Sequence, residues 1–130
     1  MSAIQLFDFQ QIAANTIAGR FAELLSDPNA PTMTRQGDTF YYQALSALTG
    51  SGKTPILADA VAQMRAHLSS EPLILWFSKS RVVVDQTLAN FQAGGKYENL
   101  VEGFVATKLS ELRAEGLRDA STPRGACQRM

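Results

Sequence analysis

The segment from Ala47 to Thr54, Ala-Leu-Thr-Gly-Ser-Gly-Lys-Thr, constrains the fold of this 130-residue chain more than any other feature. Glycines in the pattern G-x-x-x-x-G-K-[ST] let successive backbone N–H groups point into one concavity, and the following helix adds its positive N-terminal end. With average residue usage, a Gly-x-Gly-Lys-Ser/Thr match arises by chance in roughly one chain in two hundred of this length. The segment therefore predicts a phosphate-binding loop.

The residues of this loop have separate expected roles toward a nucleoside triphosphate. We expect the backbone of Thr49, Gly50, Ser51 and Gly52 to surround the phosphates. Lys53 is expected to reach the β- and γ-phosphates, and the Thr54 hydroxyl is expected to bind Mg²⁺ together with the nucleotide. The predicted cofactors are therefore ATP and Mg²⁺, with ATP favoured over other nucleotides by the flanking residues considered below.

Apolar spacing predicts helices and strands that alternate along the chain. From Phe9 to Leu25 the spacing is helical, with Asp8 as the N-cap and residues 26–29 as the stop. Further helices are predicted from the loop to about Leu68, over Val82–Gln92 and over Lys108–Ala114, and strands over Phe40–Leu48, Leu73–Phe77 and Val101–Ala106. This alternation predicts an α/β domain in which helices flank a parallel sheet.

Composition limits the domain count and the kinds of partner. Hydrophobic residues make up 45% and charged residues 18% of the chain, which fits one globular domain, predicted over residues 1–115. The 12 basic and 12 acidic residues balance, so any nucleic-acid contact has to come from a local patch. With a single cysteine, no signal peptide and no long apolar run, we expect a cytoplasmic protein without membrane contact. Residues 116–130 lack an apolar period and predict a disordered tail.

Ala47 takes the place of the first glycine of the general pattern. In this respect the loop resembles that of the superfamily 2 helicases of the DEAD/DEAH type, which commonly use Ala-x-x-Gly-x-Gly-Lys-Thr, whereas small-molecule kinases and GTPases usually keep the glycine. The resemblance implies a RecA-like P-loop domain with three layers and an ATP site. A kinase or a GTPase-like switch is the alternative.

Two flanking segments extend the resemblance. In the family, a glutamine at the start of a helix before the loop reads adenine, which implies this role for Gln10 with Phe7 or Phe9 as an apolar neighbour; Gln11 is a second candidate. Downstream, a turn after an apolar strand grips the nucleic-acid backbone, which implies a phosphate contact by Ser80 and Arg81. Here Lys79 replaces the family's proline.

The amino-acid sequence of residues 4–110 most resembles the N-terminal part of the motor subunit of type III restriction enzymes, which is a DNA translocase. That likeness implies DNA as a partner, with a modification or specificity subunit as a further one. Hydrolysis in this family needs an adjacent pair of acidic residues after another strand, and the chain contains no such pair. We therefore identify no catalytic residue and expect no ATP turnover by this chain alone. A truncated or frame-shifted remnant without activity is the third alternative.

Overall fold

A computed structural model describes residues 3–30, 35 and 41–111, and half of these residues are helical. Three α-helices follow one another along the chain: α1 over Asp8–Ser26, α2 over Lys53–Arg65 and α3 over Arg81–Phe91, with a 3-10 helix over Glu98–Val101. They belong to two compact units. The first, here the loop unit, comprises Leu6–His67, and the second, the α3 unit, comprises Met1–Gln5 and Leu68–Met130.

Local sequence signals account for both ends of α1. Phe7 is the N-cap, and the Gln10 side-chain oxygen accepts a hydrogen bond from the Phe7 backbone N–H at 2.9 Å. Asp8 places a negative charge in the first turn, where the helix dipole favours one. At the other end, Asp27 adopts an extended conformation and its carboxylate accepts a hydrogen bond from the Asn29 N–H at 2.9 Å. The prediction of a helix here is confirmed, with a start one residue earlier than expected.

Small side chains hold α1 against α2 in the loop unit. Ala14, Ile56 and Ala60 are fully buried and form the core cluster, and Ala13, Ile17 and Leu45 pack around it. Ala18 and Ala58 are buried as well. Because alanine carries only a methyl group, the two helix backbones can approach closely around Ile56, the largest fully buried side chain among the described residues.

A polar network also connects the two helices at their exposed side. The Gln11 amide nitrogen donates to Asn15 at 2.9 Å and to Asp59 at 3.0 Å, and the Gln63 amide nitrogen donates to the same two oxygens at 2.9 and 2.8 Å. Each acceptor therefore receives one hydrogen bond from its own helix and one from the other helix. This arrangement fixes the register of α1 on α2 more specifically than apolar contact can.

The parallel sheet predicted from the sequence is wrong for the described residues, since none of them belongs to a β-strand. Exposure alternates with a period of two along residues 42–48 and 71–79, as in an extended backbone, but no ladder forms among the described residues. The third strand candidate, Val101–Ala106, begins in the 3-10 helix and continues through a turn. The α/β, RecA-like fold class is accordingly not supported. Phe40 lies outside the described residues.

The physical reason is that an apolar run specifies an extended segment but not its hydrogen-bonding partner. A strand exists only when the backbone of a second segment lies beside it. Here the first two candidates fall in different units, residues 41–48 in the loop unit and residues 73–77 in the α3 unit. A central strand would be covered on both faces, but Leu73, Leu75 and Phe77 are 51%, 55% and 81% exposed.

In the α3 unit, aromatic contacts surround the end of α3. Phe91 meets the Trp76 ring edge-on at 5.2 Å between centroids and the Tyr97 ring at 6.4 Å. The Asn99 side chain accepts a hydrogen bond from the Ile4 N–H at 3.2 Å and donates one to the Ile4 carbonyl at 2.9 Å. An amide side chain thus pairs with the backbone of the N-terminal segment as a neighbouring strand would.

The helix predicted over Val82–Gln92 is confirmed as α3, and the one predicted to run from the loop to about Leu68 is confirmed as α2, which ends three residues earlier at Arg65. Residues 109–111 are helical, while the rest of the helix predicted to Ala114 and the predicted tail over 116–130 lie outside the described residues. In the ranges that the structure describes, no helix is both long enough and apolar enough to cross a membrane.

The core of the loop unit gives a direct stability test. Replacing Ile56 with alanine should lower the free energy of unfolding by about 2–5 kcal/mol, because the cavity cannot be filled by the surrounding alanines. The matched control is Ile12→Ala on α1, where the isoleucine is 65% exposed and the expected change is within about 0.5 kcal/mol. Urea denaturation followed by circular dichroism at the helix band measures both, and equal losses would contradict this core.

Candidate phosphate-binding loop

Two glycines with positive φ shape the loop that precedes α2. Gly50 has φ 82° and Gly52 has φ 83°, a left-handed conformation that side-chain-bearing residues rarely adopt. Between them, the Ser51 N–H donates to the Leu48 carbonyl at 3.1 Å and the Ser51 hydroxyl donates to the same oxygen at 2.6 Å. Both hydrogen bonds close a tight turn, so the loop has a defined shape of its own.

Gly52 is the N-cap of α2, and the helix start leaves backbone donors available. The first helical hydrogen bond runs from the Ile56 N–H to the Gly52 carbonyl at 3.2 Å. No described residue accepts a hydrogen bond from the N–H groups of Gly52, Lys53 or Thr54. Pro55 has no N–H, so its buried position in the first turn leaves no donor unsatisfied. Three N–H groups and the positive end of a helix dipole therefore coincide at one point.

The side chains predicted to bind the nucleotide are adjacent to these donors. Lys53 is exposed as the first residue of α2, and the first turn of that helix carries no acidic residue to neutralise its charge. Thr54 is half-buried next to it, and Thr49 is exposed in the turn before Gly50. The structure thus brings residues 49–54 together in one turn and helix start, where an anion could meet both backbone and side-chain donors.

Gln10 connects the loop to α1. Its side chain is almost fully buried, with 7% exposed, and its amide nitrogen donates to the Ser51 carbonyl at 2.9 Å. Since its oxygen accepts from the Phe7 N–H, one amide links the N-terminus of α1 to the middle of the loop. The other N–H and the other oxygen lone pair of this amide make no hydrogen bond to a described residue. Gln11, the second candidate, instead bonds to Asn15 and Asp59 away from the loop.

Two exposed aromatic rings lie at the same end of α1. The rings of Phe7 and Phe9 stack with an interplanar angle of 9° and centroids 6.1 Å apart, and both are largely exposed. They flank the Gln10 amide in sequence, and the Phe7 backbone is bonded to it. A flat apolar surface therefore adjoins a glutamine that contacts the loop.

The contact between Gln10 and Ser51 was not predicted from the sequence. The sequence does signal the hydrogen bond between Gln10 and Phe7, because glutamine at the third position of a helix commonly reaches back to the backbone N–H of the N-cap. Phe7 and Gln10 have this spacing. The second half of the contact joins residues 41 positions apart, and no local pattern specifies that distance.

The turn at Ser80 and Arg81, the predicted nucleic-acid contact, belongs to the α3 unit. Ser80 is the N-cap of α3, and its hydroxyl oxygen accepts a hydrogen bond from the Val83 N–H at 3.3 Å. Lys79 and Arg81 are both exposed at this end of the helix. The turn is therefore a capped helix start that carries two cationic side chains.

One helical turn farther along α3, Asp85 is paired with Lys108. The Lys108 ammonium donates a hydrogen bond to the Asp85 carboxylate at 2.6 Å. This hydrogen bond, supported by the positive charges of Lys108 and Arg81, holds the pKa of Asp85 below its ordinary value. Among the described residues, the Arg81 guanidinium forms no ion pair with a carboxylate.

The described acidic residues add no metal ligand to this site. Within the described ranges, no group of three His, Cys, Asp or Glu side chains is arranged to hold a metal ion. Thr54 therefore stays the predicted protein ligand for a Mg²⁺ that arrives with the nucleotide.

Searches of protein-family models, curated proteins and solved structures found no match to this chain.

Gly52 and Gly50 provide a matched test of the loop geometry. A Cβ atom on Gly52 would lie 2.2 Å from the Gln10 amide nitrogen, whereas one on Gly50 would meet nothing within 4 Å. Alanine at either position is strained by about 1–2 kcal/mol because of the positive φ. Gly52→Ala should therefore lower the free energy of unfolding more than Gly50→Ala does, by the additional cost of displacing Gln10.

The control repeats both substitutions in a Gln10→Ala background. With the amide removed, the costs of the two alanine variants should become similar, because the backbone strain remains in each and Gly52→Ala adds only a 3.3 Å approach of its Cβ to Pro55 Cγ. Denaturant unfolding of the six proteins gives the coupling free energy directly. A cost of Gly52→Ala that does not depend on the presence of Gln10 would contradict the contact.

Proposed function

We propose that this chain binds the triphosphate of ATP, together with Mg²⁺, at the loop formed by residues 47–54. The observation that supports this proposal is the left-handed Gly52 at the start of α2, which leaves three N–H groups without an acceptor among the described residues. Such a helix start attracts phosphate oxygens because its N–H groups and its dipole act in the same direction. Lys53 adds a full positive charge at the same position.

Each loop residue then has a defined part in binding. The N–H groups of Gly52, Lys53 and Thr54 donate to phosphate oxygens, and the Lys53 ammonium neutralises the terminal phosphates. The Thr54 hydroxyl is a hard oxygen ligand of the kind that Mg²⁺ takes alongside phosphate oxygens. Gln10 stabilises the shape of the loop through the Ser51 carbonyl, so phosphate meets donors that are already arranged.

Adenine is the proposed base because of the groups at the N-terminus of α1. The Gln10 amide retains one donor and one acceptor, which complement the N6 amino group and the N7 or N1 nitrogen of adenine. Stacking on the exposed rings of Phe7 and Phe9 does not depend on base identity and adds affinity for any purine. The choice between ATP and GTP therefore depends on the glutamine.

The proposal is limited to binding. The resemblance to DNA translocases implies an ATP hydrolase, but the chain has no adjacent acidic pair to hold Mg²⁺ and orient water. A nucleotide-dependent kinase or GTPase-like switch remains the alternative of a different class. A remnant that binds no nucleotide is the third possibility, and the same measurements separate the three.

The central test is the affinity for ATP in the presence of Mg²⁺, measured by titration calorimetry. Lys53→Ala should weaken binding by about 10- to 100-fold, since a hydrogen bond to a charged group contributes roughly 1.5–3 kcal/mol. The matched control is Lys96→Ala, which removes an ammonium that lies over the Tyr97 ring in the α3 unit and should leave the affinity unchanged.

The outcomes distinguish the alternatives. Equal affinity of the wild type and Lys53→Ala, or no binding by either, refutes the proposed site. Tighter binding of GTP than of ATP favours the switch, and Gln10→Ala should reduce the preference for ATP if that side chain reads adenine. Steady-state hydrolysis should stay at background with and without DNA, and clear turnover would refute the argument from the missing acidic pair.

A second candidate function is contact with a nucleic-acid backbone at the start of α3. The specific observation in its favour is the capped helix start with Lys79 and Arg81 exposed beside Ser80. Helix starts, hydroxyl groups and arginine are common phosphate contacts that do not read sequence. We propose DNA as the partner because the family with similar motifs acts on DNA. By the same resemblance, we propose a modification or specificity subunit as a further partner of this chain.

Salt dependence tests this second candidate. Arg81→Ala should weaken binding to a single-stranded oligonucleotide and reduce the slope of log affinity against log salt by about 0.7, the contribution of one phosphate contact. Arg20→Ala, which removes an exposed arginine from α1, is the control and should change neither value. An unchanged slope for Arg81→Ala, with an unchanged helix signal, would contradict a phosphate contact at this turn.

A further inference from the structure

The polar network between α1 and α2 is a closed ring of hydrogen bonds. Its acceptors are Asn15 Oδ1 and Asp59 Oδ2, and its donors are the amide nitrogens of Gln11 and Gln63. Each donor reaches both acceptors, at distances between 2.8 and 3.0 Å. Since two members lie on each helix, the ring is a second connection between α1 and α2 besides the apolar core.

The ring fixes α1 at the residue that follows Gln10. The Gln11 amide nitrogen uses both of its N–H groups in the ring. Gln10 itself donates to the Ser51 carbonyl at 2.9 Å. Consecutive residues of α1 are therefore bonded to two different parts of the segment that leads from the loop into α2, and a shift of α1 along α2 would disturb both contacts together.

Asp59 is the one charged member of the ring. Its half-buried carboxylate accepts a hydrogen bond from Gln63 of its own helix at 2.8 Å and from Gln11 of α1 at 3.0 Å. Hydrogen bonds to an ionised acceptor are roughly twice as strong as those between neutral groups. Asp59 is therefore the member whose loss should loosen the ring most.

The phosphates are out of reach for Asp59. It follows Lys53 by six positions on α2, which is about 9 Å along the helix axis. From there its negative charge repels a bound anion. Any contribution of Asp59 in favour of phosphate binding therefore has to pass through the position of α1.

We propose that Asp59 is a positioning residue of the phosphate loop and acts through Gln11 and the neighbouring Gln10. This role presupposes the proposed binding of a triphosphate at residues 47–54. The ring holds the first turns of α1 on α2, and α1 holds the Gln10 amide at the Ser51 carbonyl. That hydrogen bond keeps the loop in the form that presents its free N–H groups, so the ring adds to triphosphate affinity without touching the ligand.

The first experiment uses the opposite effects of charge and position. Its probe is inorganic tripolyphosphate with Mg²⁺, which carries no base, and titration calorimetry measures the affinity. Asp59→Ala should weaken binding about three- to tenfold because α1 loses its position, whereas the loss of the charge alone would strengthen binding. Asp59→Asn also removes the charge but keeps an acceptor oxygen, so it should bind at least as tightly as the wild type.

Two further variants control for the charge. Gln63→Ala removes two hydrogen bonds of the ring without a change in charge, and it should weaken tripolyphosphate binding as Asp59→Ala does. Glu23→Ala removes an exposed carboxylate of α1 that makes no hydrogen bond or ion pair with a described residue, and it should leave the affinity unchanged.

The second experiment tests the route through Gln10 with a double-mutant cycle. In a Gln10→Ala background, Asp59→Ala should no longer weaken tripolyphosphate binding, because the hydrogen bond that transmits its effect is absent. If Asp59 only stabilised the helix pair, the loss of affinity would be the same in both backgrounds. Circular dichroism and urea denaturation check that every variant is folded under the conditions of the titration.

A third experiment needs no ligand. The Gln10 amide nitrogen lies 2.2 Å from a Cβ added at Gly52 and contributes to the cost of Gly52→Ala. Asp59→Ala should lower this cost by letting α1 move, although positions 52 and 59 lie about two helical turns apart. Urea denaturation of the wild type, the two single variants and the double variant measures the coupling free energy.

A loss of affinity in Asp59→Ala that disappears without Gln10 establishes the positioning role. Stronger or unchanged binding by Asp59→Ala, or an equal loss in the Gln10→Ala background, overturns it. If the wild type binds no triphosphate, the proposed function fails, and the coupling between Asp59 and Gly52 still decides whether Asp59 positions the loop. A coupling of zero overturns that role as well.

Discussion

The Gln10 amide is the interaction on which the candidate site depends. It accepts from the N–H at the start of α1 and donates to the Ser51 carbonyl between the two left-handed glycines. A glycine-rich loop has a large conformational entropy, and one partly buried hydrogen bond to its centre reduces that freedom before any ligand arrives. The close approach of this amide also explains why position 52 has room for hydrogen alone.

The same contact makes the packing of α1 on α2 relevant to binding. Gln10 can reach Ser51 only while α1 holds its place, and that place is set by the alanine-lined core and by the network of Gln11 and Gln63 with Asp59 and Asn15. A change in the helix pair therefore alters the loop although it touches no phosphate. In the free energy of unfolding, the effects of Ile56 and of Gln10 should be coupled for this reason.

The features predictable from the sequence are those that neighbouring residues determine. The extents of α1, α2 and α3 follow from apolar spacing and from stops such as Pro28, and the glycine turn before α2 follows from consecutive residues of the segment 47–54. The sheet was mispredicted because Leu73–Phe77 specifies an extended form without specifying a partner, and the described residues supply none. The Gln10 contact was missed for a related reason, since its geometry depends on two segments 41 residues apart.

Binding a phosphate has local requirements, whereas cleaving it also has distant ones. Binding needs N–H groups, a helix start and one cation, and residues 49–54 contain all three within a single turn. Cleavage needs an acid brought to the phosphates from another element. The acids after the loop are single, and three of them already accept hydrogen bonds: Asp59 from two glutamines, Asp85 from Lys108 and Glu98 from the Gly94 N–H. Binding of Mg²⁺ by one of these three carboxylates would compete with a contact that holds helices or turns in place.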